Sequence, residues 1–363
     1  MKYIDFLALT MACVCVACTP DNENNNQPQE PSVTPRMMVL NTGNIYSGVD
    51  GELSMIYYND TPGGLSDVSV TNNLFQSVNH RSLGKAPNQA ILYGSRLYVA
   101  VDESNTIEVV DKDGTSVGSI QLAGNDQGWS SPRQLTGCDG KVYVTLKSGH
   151  VACLDTLTLE MDPMNLFLGE GSCPEGIAAV GQDLYVATSG DYTAGYRTTM
   201  ARIDLTTHTV DTIPCGLNPT VVKTAADGGI YVLCMGDYYM TKAAVWRVDG
   251  TEPVEICNAT MFDIPEGSNT LYAIDCPWDG PVVTYLRQDL TTDEQTVLPC
   301  RVTYPASIAV DARTGYIAIT SYYMGGDYPS YNTPGYVALF DREGNGFGLA
   351  LGIGIGPATV VFL

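Results

Sequence analysis

The sequence predicts an all-β chain, a seven-bladed β-propeller of four-stranded antiparallel blades whose ring is closed by pairing the C-terminal strand with N-terminal strands. Three observations predict it. A Leu-Tyr-Val-like strand recurs with its second residue at Tyr98, Tyr143, Tyr185, Tyr231, Tyr272 and Ile317, in steps of 45, 42, 46, 41 and 45 residues. Prolines keep similar time at Pro87, Pro132, Pro174, Pro219, Pro265, Pro305 and Pro357, and aspartates follow at Asp111, Asp155, Asp204, Asp249, Asp289 and Asp341. A period in the low forties with several short strands per unit is a propeller signature, because one blade cannot bury its own faces and must stack on its neighbours.

Each unit supports that reading locally. Ala90 to Tyr93, Arg96 to Val101 and Ile107 to Val110 are short β-branched or aromatic runs separated by Gly, Asn, Asp and Ser turns. After the N-terminal tail, no stretch carries the period of an amphipathic helix. Pro357 to Leu363 reads as the first strand of a blade and then stops. Its missing partners are Met37 to Leu40, Leu53 to Tyr58 and Val68 to Thr71, so pairing the two ends removes two open sheet edges.

The organisation predicted is a lipoprotein signal peptide over 1–17, a lipidated cysteine and flexible tether over 18–36, and the propeller over 37–363. Phe6 to Ala17 is almost wholly apolar, and Val16-Ala17-Cys18 resembles the end of a bacterial lipobox, which makes Cys18 the lipidation site. Cys15 and Asp5 depart from that pattern, and Cys13 is the alternative site. Thr19 to Pro35 is too poor in apolar residues to fold. The apolar run is too short to span a bilayer, so the membrane is reached through the lipid anchor only. Asp21 and Glu23 resemble an export signal for surface lipoproteins, so an outer-membrane, outward-facing location is expected ahead of periplasmic retention.

Eighteen Lys and Arg against 40 Asp and Glu give a net charge of −22, which excludes nucleic acid as a partner class. Eight cysteines follow Cys18, and Cys173, Cys215, Cys257 and Cys300 recur at blade spacing. Cys215 with Cys234 and Cys257 with Cys276, each 19 residues apart, are possible disulfides; inert buried thiols are the alternative. No catalytic constellation, metal site or cofactor motif is read: His80, His150 and His208 fall on different blades, and Asp111-Lys112-Asp113-Gly114 lacks the later ligands of a calcium loop. The chain is therefore expected not to be an enzyme.

What stands out is a run of aromatic loops expected on one face. The loops between second and third strands supply Tyr192, Tyr196 and Arg197, then Tyr238 and Tyr239, then Trp278 and Asp279, then Tyr322, Tyr323, Tyr328 and Tyr331. Tyr46 comes from the closing blade, and the loops leading into blades add Trp129, Arg133 and Glu175. Tyr and Trp give large rigid area with a polar tip, which suits ligand binding. About half of these rings are expected to pack between loops instead.

Pro87, Leu97-Tyr98-Val99-Ala100 and Ile107-Glu108-Val109-Val110-Asp111 resemble the repeat of the YncE-type, surface-layer-like seven-bladed propellers. With the lipobox and tether, the chain is similar to the lipoprotein branch of that group in Bacteroides-like bacteria. That resemblance implies capture of cobalamin or another corrinoid on one propeller face and its transfer to a TonB-dependent outer-membrane transporter. A corrin is a broad, largely apolar disc fringed with amides, which an aromatic, hydrogen-bonding face would suit. Glycan binding and protein docking are the alternatives from other classes, with a lyase behind them.

Overall fold

The computed structural model describes residues 36–61, 64–122, 124, 127–164, 166–250, 252–277, 282–324 and 328–363. The signal peptide, Cys18 and residues 18–35 of the expected tether lie outside the described residues. Seven four-stranded antiparallel sheets make a propeller. Blade one runs Pro87–Tyr93, Arg96–Val101, Thr106–Val110 and Ser116–Gln121, and blades two to six repeat that order along the chain. Blade seven is the composite one: Pro357–Phe362 pairs antiparallel with Arg36–Asn41, which pairs with Glu52–Thr61 and then Gly64–Thr71.

Alternation along each second strand builds the ring. In Arg96–Val101, Leu97, Val99 and Val101 join the core between blades seven and one, while Tyr98 and Ala100 join that between blades one and two. Successive side chains leave a strand on opposite faces, so one strand serves two interfaces. The buried apolar residues accordingly form seven clusters, one at each interface, among the described residues.

The repeated aspartates have a local task. Those at 111, 155, 204, 289 and 341 accept backbone N–H bonds from residues two to four further on, closing the turn between third and fourth strands. These turn amides hold the carboxyls of Asp155, Asp204 and Asp289 below their ordinary range. Asp249 differs, because it takes a bidentate bond from Arg247 at 2.7 Å to each oxygen.

Two expectations need correction. Pro265 does not open the first strand of blade five; that strand is Met261–Asp263, and Pro265 lies in the turn after it. Thr260 holds the place instead, its N–H donating to Ile274 O at 2.8 Å. A short helix, Leu74–Asn79, also links blade seven to blade one and buries Leu74 and Phe75. Six residues are too few for a helical period to register in sequence.

Neighbouring inner strands approach closely at Gly176. A Cβ there would lie 2.7 Å from Thr220 O and Val222 N in the adjoining inner strand, both backbone atoms that no rotamer change can move aside. Gly176→Ala is therefore expected to cost about 1–3 kcal/mol, read as a lower urea midpoint. A midpoint equal to wild type would show that the blades can part there without loss.

Candidate functional site

The strand order places two sets of loops on one face: those leading into each inner strand, and those joining second to third strands. At the centre of this face, six inner strands open with a proline followed by a register shift, as at Pro87/Gln89, Pro132/Leu135, Pro174/Ile177, Pro219/Val221, Pro305/Ser307 and Pro357/Thr359. A proline is tolerated at a strand's first residue, and a bulge re-aims the side chain it displaces. The residues after three of these prolines, Asn88, Arg133 and Glu175, meet across blades.

Arg133 is the hub. Its Nη1 donates to Asp102 Oδ2 at 2.5 Å and its Nε to Glu175 Oε2 at 2.8 Å. With its amide oxygen turned toward the guanidinium, Asn88 accepts from Nη1 at 2.8 Å and Nη2 at 3.1 Å. Both carboxylate side chains are only 15% exposed. Burial pushes the Glu175 carboxyl above its ordinary value, with Arg133 opposing it. One guanidinium thus bridges two largely buried carboxylates from blades one and three.

Around this centre the tyrosines form two groups. On blades three and four, Tyr192 and Tyr239 are 86% and 84% exposed, with Tyr196 edge-on to Tyr238 at 6.0 Å. On blades six and seven, Tyr46, Tyr323 and Tyr328 are exposed, and Tyr322 meets Tyr331 edge-on at 5.0 Å. Aspartates hold the first group's loops: Asp191 Oδ1 accepts from the N–H of Thr193 and Ala194, and Asp237 Oδ1 from those of Tyr239, Met240 and Thr241. Tyr238 itself is left-handed, with φ 66°. For a bulky side chain that conformation costs about 1–2 kcal/mol and persists only where neighbours impose it. Asn218, fully buried, is one such neighbour, bonding Ser189 Oγ, Gly236 O and, at 3.5 Å, the Tyr238 hydroxyl.

Not all the sequence-predicted residues reach this surface. Trp129 is 6% exposed and packs in the core between blades one and two, which corrects its place as a binding residue. Arg197 stays on this face but donates to Glu170 O at 3.3 Å, tying two loops of blade three together. Tyr322 is half-buried but keeps its place in the second tyrosine group against Tyr331. Trp278 and Asp279 lie outside the described residues. His150 is buried, its ring tilted at 38° against Phe167 with centroids 4.7 Å apart, and burial lowers its pKa. Cys215, Cys234, Cys257 and Cys276 are free thiols, as are the other four described cysteines. Contact with the Cys215 thiol and burial push the Cys234 thiol up, and burial pushes Cys257 up to about 12.

Asn88, Asp102 and Asn218 were missed from sequence. A signal for the hub existed: Pro132-Arg133 and Pro174-Glu175 set opposite charges at equivalent positions one blade apart.

No family model and no curated protein matches this chain. Solved structures do resemble it. A putative 6-phosphogluconolactonase from Bacteroides uniformis aligns with a TM-score of 0.61 at 9% identity, over 91% of this chain and 99% of that one. A quinonprotein alcohol dehydrogenase-like protein from Bacteroides thetaiotaomicron aligns at 0.58 and 11% identity, over 92% of each chain. A functionally unknown protein from Desulfotomaculum acetoxidans gives 0.58 at 10% identity, over 90% of this chain and 98% of that one. At such identities the likeness shows the fold alone, a propeller similar to those of Bacteroides proteins.

Proposed function

We propose that this chain is a ligand-binding propeller of the YncE-type, surface-layer-like kind, not an enzyme, and that its tyrosine-bearing face captures a corrinoid. The observation that carries the reading is the pair of exposed tyrosine groups, on blades three and four and on blades six and seven, flanking a polar centre. Rings on both sides would contact the faces and edges of a broad disc, and their hydroxyls would reach its amides. Strain held at Tyr238 supports binding over packing, since such strain gathers at ligand clamps. A lipid on Cys18 would hold this face outside the outer membrane, where a TonB-dependent transporter would receive the ligand.

Titrating the purified chain with cyanocobalamin and cobinamide tests the proposal. Saturable one-to-one binding is expected, weakened by Tyr239→Ala and by Tyr323→Ala. Binding of oligosaccharides in place of corrinoids, lost in the same variants, would replace the ligand but keep the face; binding of neither would remove the proposal.

Tyr238 offers a sharper check. Tyr238→Gly relieves the left-handed strain, so stability is expected to rise by about 1 kcal/mol while corrinoid affinity falls. A variant less stable than wild type would show that the ring packs rather than binds.

A further inference from the structure

The face opposite the tyrosines holds a cavity of 390 Å³ between blades five and six, whose lining includes Arg287, Arg342, Thr270, Thr296 and Tyr272. Its meaning comes from a comparison within the chain. In blades three, four and five, the tyrosine of the second strand pairs across to an arginine of the third: Tyr185 with Arg202, Tyr231 with Arg247, Tyr272 with Arg287.

Two of these arginines are neutralised on the spot. Arg202 lies 2.8 Å from Asp183 and 3.8 Å from Asp211. Arg247 takes Asp249 at 2.7 Å. Among the described residues no carboxylate hydrogen-bonds Arg287, which makes only a long ion pair with Glu343 at 3.9 Å.

The cause is legible by register. Asp183 stands two residues before Tyr185, and Thr270 stands two before Tyr272. Asp211 is the fourth-strand partner of Arg202, and Thr296 is that of Arg287. Both acids that close the arginine in blade three are thus threonines in blade five, and both threonines line the cavity.

A second arginine joins the first. Arg287 Nη1 donates to the backbone O of Arg342 at 3.1 Å, and Arg342 Nη2 donates to Thr314 O at 3.3 Å. Each guanidinium carries five N–H donors, so these bonds leave most of them unused. Three acids line the cavity; Glu294 is exposed to solvent, and the other two are spoken for. Asp289 accepts turn amides from Thr291 and Thr292, and Asp311 takes the Arg313 side chain, the Arg313 N–H and the Thr314 hydroxyl. Arg313 therefore belongs to Asp311, while Arg287 and Arg342 face the cavity with hydroxyl donors beside them.

We infer that this groove is an oxyanion site: Arg287 and Arg342, with the Thr270 and Thr296 hydroxyls, take the carboxylate or phosphate group of a small ligand. Guanidinium groups bind both oxyanions through paired N–H bonds, and hydroxyls donate to either. The site is independent of the corrinoid reading and lies on the other face.

Calorimetric titration of the purified full chain with citrate and with inorganic phosphate, at low ionic strength where screening is weak, tests it. Saturable binding of at least one is expected, and the two arms separate a carboxylate from a phosphate ligand. Thr270→Asp with Thr296→Asp rebuilds the blade-three arrangement and is expected to abolish binding. Arg342→Gln, an independent variant on a turn, is expected to weaken it roughly tenfold or more. Binding of neither anion, or binding unchanged in either variant, would overturn the inference.

Discussion

Removing Pro357–Leu363 is expected to abolish the soluble folded protein. The strand Pro357–Phe362 is the inner strand of blade seven, and its loss frees one edge of Arg36–Asn41, where Met37, Met38, Val39 and Leu40 are all fully buried. Val360 and Val361 leave two different interface cores with it, those shared with blades six and one. Each buried valine is worth about 1.5–3 kcal/mol, and the exposed edge adds an invitation to aggregate. Against a total stability of about 5–15 kcal/mol, those losses leave little of the ring. Val361→Asp keeps the strand but buries a charge in the core toward blade one, so it should fail in the same direction by a smaller step. Soluble yield and a thermal melt decide the matter; a truncated chain melting cooperatively near the wild-type midpoint would mean that six blades and an open edge suffice.

Arg133→Met is the second large effect. It fills the same volume but leaves Asp102 and Glu175 without their guanidinium at the centre of the tyrosine face. Removing one partner of a buried pair costs about 3–5 kcal/mol, because the remaining charge stays desolvated. The pH dependence has a definite sign. Burial already holds the folded Glu175 carboxyl above its ordinary value, and losing Arg133 raises it further. The folded variant then binds a proton that the unfolded chain does not, so its stability rises as pH falls from 7 toward the ordinary carboxylate range. Urea denaturation at pH 7 and pH 5 should show the deficit shrinking at the lower value. A deficit below about 1 kcal/mol, or one that pH does not move, would place the triad among weak surface pairs.

Much of this architecture was readable because duplication repeats its own spacing. The Tyr series marks second strands, every aspartate of its series but Asp249 caps a turn, and the composite seventh blade follows from the match of Pro357 to Leu363 with the opening strand of a blade. Pro265 misled because timing was read without register; Thr260, just ahead of Met261–Asp263, holds the place that proline takes in the other blades. Trp129 misled for a different reason. Hydropathy cannot tell whether a loop ring lies out on a face or folds back between blades. The contacts of Arg133 join residues 31 and 42 positions away, and only the ring's closure brings Asp102 to Glu175. The Thr270 and Thr296 exchange is visible in sequence, yet it acquires meaning only once Tyr185 and Tyr272 are laid in register.

The composite blade also sets how the domain carries load. A pull on the chain ahead of Arg36 acts along a strand bonded on both sides, to Pro357–Phe362 and to Glu52–Thr61. Force in that direction shears two rows of hydrogen bonds together instead of peeling one at a time. The strand that completes the circle is therefore also its mechanical anchor, placed where any drag on the ring would be transmitted to the preceding segment.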